Sequence, residues 1–240
     1  MPDPTILAFD TSGPHCAAAL LIGGKIVASR FEPMTRGQAE RLFPMLDEVM
    51  GEVGAVWEEL EAIGVGVGPG NFTGIRISVS AARGLALSLK KPAIGVTSFE
   101  ALRGPALFAD PAPSIVSLPA SRKGKDVLIQ YFKGGKPQGA PQELAIFGTD
   151  AENPEFQPLP GIAPVFGHEC AAVDWALHGS NEAGCSGALV FGDSYPISHA
   201  IAQVAALKLA CNNALPRPAP LYIRPPDAAP PSTPPLNILP

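Results

Sequence analysis

The segment Gly66 to Arg76, GVGPGNFTGIR, sets glycines on either side of a proline directly before an apolar helical pattern. Glycine brings bare backbone close to whatever lies opposite, and the free N–H groups and dipole of a helix N-terminus favour an anion. On that chemistry Gly68, Gly70, Thr73 and Gly74 are candidate phosphate contacts. Asp10-Thr11-Ser12 closes the first apolar run, where the Asp10 carboxylate and Ser12 hydroxyl could hold a hydrated metal or meet phosphate oxygens. The same residues also suit a plain structural role: Asp10 and Ser12 satisfying a turn, Thr73 capping the helix, Arg76 pairing with a carboxylate. No Gly-Lys-Ser/Thr follows the loop, so it is not a Walker loop, and no GxGxxG with a distant acidic residue marks a dinucleotide site.

Three other patterns carry no reaction. Gly192-Asp193-Ser194 reads as a helix cap, and the centre of a GxSxG frame over Gly70 to Gly74 is Phe72, so no nucleophile elbow exists. His168-Glu169-Cys170 lacks an HExxH or HxxxH partner pattern. Cys16, Cys170, Cys185 and Cys211 form no CxxC pair and read as reduced, buried thiols. No catalytic residue and no metal set is assigned.

The elements that would position these residues follow from periodicity. Ile6 to Phe9, Cys16 to Ile22 and Lys25 to Phe31 read as a strand and a hairpin turned at Gly23-Gly24. Gln38 to Val53 has helical spacing, with Pro44 near its start. Ala62 to Val67, a helix from Ile75 to Leu89, Ala93 to Val96 and a short helix from Ser98 to Leu102 complete the order βββαβαβα. Beyond Gly104 the pattern weakens: Ile115 to Leu118, Val127 to Phe132, Glu143 to Phe147 and Ala188 to Phe191 read as strands, and Ile197 to Asn212 as a closing helix capped by Asp193 or Ser194. The proline-studded stretch after Pro216 predicts an extended or unstructured tail. The division is a lobe over residues 1–102, a smaller lobe over 103–215 whose closing helix packs back on the first, and the tail 216–240.

Hydrophobic residues make up 46% and charged residues 16%, the balance of a folded chain that hides much of its surface. A net charge of -5 opposes a protein that grips RNA on its own. The absence of a basic leader and of a long apolar run predicts a cytoplasmic protein without a membrane span. Both long helices are apolar on more than one side. Leu42, Met45, Leu46 and Val49 on the first, with Ile75, Val79, Ala82 and Ala86 on the second, are the candidate partner interface.

Together, ILAFDTSGPHCAAALL, QAERLFPMLDEVM and GVGPGNFTGIRISVSAARGLALSLKKPAIGVTSFEAL resemble the TsaB family, and PAPLYIRPPDA is similar to its C-terminal ending. The resemblance implies an α/β fold of the actin and Hsp70 ATPase type: two RNase H-like lobes with mixed sheets flanked by helices, the second reduced. It implies a non-catalytic scaffold that docks and activates TsaD in transferring threonylcarbamoyl to the tRNA adenosine beside the anticodon. The TsaE ATPase also binds that complex, tRNA is reached indirectly through it, and the chain alone forms a homodimer. The enzymatic TsaD relatives hold a metal through helix histidines, whereas Arg36-Gly37-Gln38-Ala39-Glu40-Arg41 has none. Val67 stands where Arg is frequent in the family, and Leu118 to Arg122 where Asp-Ala-Arg is usual. No cofactor is therefore required of this chain, weak ATP or ADP binding staying open. The competing reading is a stand-alone ATP-dependent small-molecule kinase of actin type.

Overall fold

Alternation along the first strands is hidden because both faces of their sheet are covered. In the computed structural model, which describes residues 4–108, 110–120, 126–146, 163–179, 185–186, 196–211 and 215–223, β1 (Ile6–Asp10), β2 (His15–Ile22) and β3 (Lys25–Pro33) form an antiparallel meander. α1 (Gln38–Glu52) then leads to β4 (Ala62–Gly66), which lies parallel to β1, and α2 (Phe72–Leu89) crosses to β5 (Ala93–Val96) beside it. The strand order is β3-β2-β1-β4-β5.

A second sheet repeats this plan. After α3 (Ser98–Arg103), the strands β6 (Ser114–Pro119), β7 (Asp126–Lys133) and β8 (Lys136–Ala145) form the meander. β9 (Val165–Gly167) lies parallel to β6, α4 (Cys170–His178) follows, and β10 (Cys185–Ser186) lies parallel to β9. The order β10-β9-β6-β7-β8 is that of the first sheet read from its other edge, with shorter strands.

The predicted α/β fold with two mixed, helix-flanked sheets is the one observed. Differences are local. α2 starts at Phe72 because Asn71, not Thr73, caps it by accepting a hydrogen bond from the Gly74 amide. α3 has a full capping box between Thr97 and Glu100. β8 begins at Lys136 although Pro137 and Gly139 argue against a strand, and as an edge strand it tolerates both. β9 and α4 went unread, while the expected strand Ala188 to Phe191 and the Asp193 or Ser194 cap lie outside the described residues.

α1 and α2 cover one face of the first sheet. Their inner residues Leu42, Met45, Leu46, Val49, Ile75, Val79 and Ala82 share a buried cluster with Leu7, Phe9, Leu20, Ile63 and Val65. This corrects the interface expected from spacing. The stripes that recur every three and four residues are the ones pressed onto the sheet, and Ala86 too packs against that cluster while half-buried. What faces outward is a different set: Phe43 is 46% and Leu87 83% exposed, with Ser80 and Gly84 beside them on the open side of α2.

The opposite face is covered from far along the chain. α5 (Ile197–Cys211) buries Ala200, Ile201, Val204 and Ala205 against Ile6, Ala8, Ala17 and Ala62. The facing residues are small for a reason: a Cβ on Gly64 would press on Ala8, Ile201 and Ala205, so helix and sheet sit unusually close.

The tail also departs from expectation. Residues 215–223 are packed: Leu221 donates its amide to the Val67 carbonyl at 2.8 Å, and Leu221 and Ile223 lie against Phe99, Leu102, Val116, Leu128 and Phe132. Cys170 is disulfide-bonded, against the reduced-thiol expectation; Cys16 is free and buried, and Cys211 free and exposed.

The corrected helix faces give a direct contrast. Val79→Glu puts a carboxylate in the core and should leave no cooperatively folded chain, since an unpaired buried charge costs several kcal/mol. Leu87→Glu should shift the urea midpoint by no more than about 0.5 kcal/mol equivalent.

Candidate functional site

β1 and β4 end side by side, so the turn after Asp10 and the glycine-rich loop after Gly66 meet at the carboxyl edge of the sheet. Asp10 is fully buried. Its Oδ2 accepts from the Ser12 amide at 3.2 Å and the Ser12 hydroxyl at 2.9 Å, and lies 2.7 Å from His15 Nε2. His15 opens β2, and its ring is held over Phe31 of β3 with centroids 5.2 Å apart. Oδ1 has no hydrogen-bond partner among the described residues and lies in the space that a Cβ at position 66 would take.

The loop is locked onto this turn. Thr11 donates its hydroxyl to the Gly74 carbonyl at 2.6 Å, and Asn71 donates its amide to the Ser12 carbonyl at 2.6 Å. A Cβ at Gly70 would run into the Ser12 carbonyl, and one at Gly74 into the Thr11 carbonyl. Ser78 donates to the Gly66 carbonyl at 3.1 Å, fixing α2 to the end of β4. Gly68, at φ 92°, accepts from the Ser98 amide at 2.8 Å, and the Gly68–Pro69 peptide is cis.

The structure thus brings Asp10, Ser12, Gly70 and Gly74 together, with Gly68 turned toward α3. Thr73 is exposed and holds no cap bond. These glycines are needed for the approach of two loops of the same chain, which is a use of bare backbone other than an anion cradle. On the side where their side chains would stand, Gly70 and Gly74 face the Ser12 and Thr11 carbonyl oxygens.

Nor does the cluster form a nucleophile and base. The Ser12 hydroxyl and His15 imidazole both meet the same Asp10 oxygen instead of each other, so the proton on Ser12 has no path to the ring. Among the described residues no group of three or more His, Cys, Asp or Glu side chains is placed to hold a metal. In the second lobe, His168 donates its amide to the Ser117 carbonyl at 3.0 Å while Ser117 donates its hydroxyl to the His168 carbonyl at 2.6 Å, which makes this loop a structural joint. Residues 192–194 were singled out for Gly192-Asp193-Ser194, and most of that motif's surroundings lie outside the described residues, as does the motif itself.

Sequence reasoning missed His15, whose place five residues after Asp10 across a hairpin was the available signal. It also missed Tyr222. Among the described residues Arg76 finds no carboxylate; it donates Nε to the Tyr222 hydroxyl at 2.8 Å, with its guanidinium 3.8 Å from the centre of the Phe72 ring. At the start of α1, Arg41 donates to Glu32 at 2.8 Å and to Glu48 at 2.8 Å, holding both carboxyls below the usual range. Burial first, and then Glu32, push the Cys16 thiol up to about 12, so it stays protonated and inert at neutral pH.

A family model described as "TsaD: tRNA N6-adenosine threonylcarbamoyltransferase" matches residues 30–138. "tRNA threonylcarbamoyladenosine biosynthesis protein TsaB" of Escherichia coli is 32% identical over 126 residues, covering 52% of this chain and 54% of that one. The protein of the same name from Haemophilus influenzae is 33% identical over 133 residues, covering 55% and 56%. Over about half of its length this chain is similar to TsaB proteins. The match spans just over half the length of those relatives. The solved structure "YeaZ from Pseudomonas aeruginosa" shares the fold, with a TM-score of 0.64, 24% identity, and coverage of 92% of this chain and 100% of that one. The stretch that the family model matches includes the glycine-rich loop and both outward-facing helices.

If the glycines serve loop packing, Gly74→Ala should destabilise the first lobe by about 2 kcal/mol or more, because its Cβ meets a backbone carbonyl. Gly84→Ala, whose Cβ points into open space on α2, should stabilise by about 0.5–1 kcal/mol. Urea denaturation of both variants checks the pair.

Proposed function

We propose that this chain is the non-catalytic scaffold of tRNA threonylcarbamoyladenosine synthesis, binding and activating a TsaD protein that performs the transfer, with the TsaE ATPase joining the complex. The observation that carries the reading is the likeness to TsaB proteins over about half of the chain, with the TsaD family model matching the stretch that holds α1 and α2. Three features support it. Ser12 and His15 both meet the same Asp10 oxygen and leave no nucleophile–base pair, and the glycine-rich loop is packed on the chain's own turn. Where the resemblance places metal-holding histidines in TsaD proteins, Arg41 is bound to Glu32 and Glu48. α1 and α2 also leave an outward face of small and apolar residues, Ser80, Gly84, Phe43 and Leu87.

That face is the docking surface in this reading, for TsaD in the complex and for a second copy when the chain is alone. The chain uses no nucleotide of its own and reaches tRNA as part of the complex. It works in the cytoplasm; no helix among the described residues is long and apolar enough to cross a membrane.

Reconstitution tests the activity. Adding this chain to TsaD, TsaC and TsaE with ATP, threonine, bicarbonate and tRNA should make threonylcarbamoyladenosine appear, with no ATP turnover by the chain alone. Full product without it, or ATP turnover by it alone, would move the reading to an actin-type kinase.

The docking face is tested by Gly84→Glu and Leu87→Glu, which should abolish co-elution with TsaD on size exclusion without lowering the thermal unfolding temperature, since a charge in a desolvated interface costs several kcal/mol. Undiminished co-elution of both variants would remove this face from the assembly.

A further inference from the structure

The flank of α2 that borders the C-terminal strap differs in charge from the rest of the molecule. From Phe72 to Lys91 the chain carries Arg76, Arg83, Lys90 and Lys91 and not one acidic residue, in a protein of net charge -5. Arg76, Arg83 and Lys90 recur every seven residues, so they drift only about 20° per step and stand on one side of the helix. At about 1.5 Å per residue they are spaced roughly 10 Å apart. All are exposed. The strap adds Arg217, also exposed, immediately before Pro218.

Among the described residues none of Arg76, Arg83, Lys90 and Arg217 makes a salt bridge, whereas elsewhere Arg30 is paired with Glu52, Arg41 with Glu32 and Glu48, and Lys208 with Glu100. The two arginines are also braced through one edge only. Arg83 donates Nε to the Pro218 carbonyl at 2.8 Å, and Arg76 donates Nε to the Tyr222 hydroxyl at 2.8 Å. Bracing at Nε fixes each guanidinium and leaves its terminal nitrogens for a partner. Beside them Tyr222 is 39% exposed and packs against Phe72 with ring centroids 5.0 Å apart.

We propose that this ridge, Arg76, Arg83 and Lys90 with the Phe72–Tyr222 pair, is a direct contact surface for the phosphate backbone and an unstacked base of a folded RNA. Fixed guanidinium forks match phosphate oxygens, and an exposed tyrosine face beside them is what base stacking uses. An acidic protein surface would satisfy the cations and leave the aromatic pair without a role. The remaining surface, net acidic, repels a polyanion, so the ridge also fixes the orientation of approach. It lies on the strap side of α2, away from the flank by which Ile77, Ala81 and Leu85 pack on the core, and at Leu87 it borders the outer helix face. The proposal deepens the reading above by giving tRNA a contact on this chain, and its test measures RNA binding without any modification chemistry, so the two can fail separately.

The probe is end-labelled bacterial tRNA, titrated with the full chain by fluorescence anisotropy between about 50 and 200 mM salt. Binding should be present at low salt and weaken steeply as salt rises. Arg76→Gln, Arg83→Gln and Lys90→Gln together should lower affinity at least tenfold and reduce the log–log salt slope by about 2, roughly 0.7–0.9 per lost phosphate contact. Lys25→Gln, Lys133→Gln and Lys136→Gln together make the same change in net charge on other surfaces and should leave both unchanged. Lys90→Gln alone makes no strap contact, so its smaller loss of slope holds even if the triple variant loosens the strap. No binding at low salt, equal losses in the two triple variants, or ridge-dependent binding to anionic phospholipid vesicles without binding to tRNA would each overturn the proposal.

Discussion

Two backbones lie in contact where β1 and β4 end, and most of what surrounds them follows from that approach. The Thr11 and Ser12 carbonyls sit where side chains at Gly74 and Gly70 would have to be. Once the turn and the loop are this close, the Thr11 hydroxyl can reach the Gly74 carbonyl and the Asn71 amide the Ser12 carbonyl. Those bonds set the start of α2, and with it the direction of the helix. The Asp10 carboxylate, enclosed by the same approach, must then find its partners nearby, which it does in Ser12 and His15.

This constraint separates the architecture from the chemistry with which a glycine-rich loop is usually associated. Here the loop turns its glycine Cα atoms toward carbonyl oxygens of the neighbouring turn. The same residue types therefore serve the close packing of two loops, and that use rests on what the neighbouring strand presents. The strap completes the enclosure by bonding Leu221 to Val67 and lying across Gly68 and Gly95, so the chain's own C-terminal segment borders the crevice that strand ends of this topology create.

Much of the first lobe was legible because its elements are long and each agrees with a local signal: the Gly23-Gly24 turn, the Thr97 and Glu100 capping pair, the uninterrupted apolar runs of β1 and β4. The second sheet was legible only where its strands are apolar, as in Val127 to Phe132. Its short β9 and the proline-bearing start of β8 gave no signal that propensity could rank. The site was legible as residue types and illegible as geometry. Periodicity located the apolar stripes of α1 and α2 correctly, yet periodicity cannot tell the stripe that meets the chain's own sheet from one that meets another protein. Leu46 and Val79 proved to be the former. Tyr222 and Pro218 escaped because proline-rich composition argues against regular structure, and a strap held by single backbone bonds needs none.

The placement of α5 bears on how the chain is made. Ile6, Ala8, Ala17, Ala62 and Ile94 form a sheet face whose cover, Ile197 to Ala205, is encoded about a hundred residues after β5. At ribosomal rates of about 5–20 residues per second, that face waits roughly 5–20 s after β5 emerges before its helix exists. The first sheet, although complete in sequence by Val96, is thus not a self-sufficient folding unit. During synthesis it is an apolar surface in need of shielding, and the long separation between β1 and α5 puts the slowest contact of the fold at its centre.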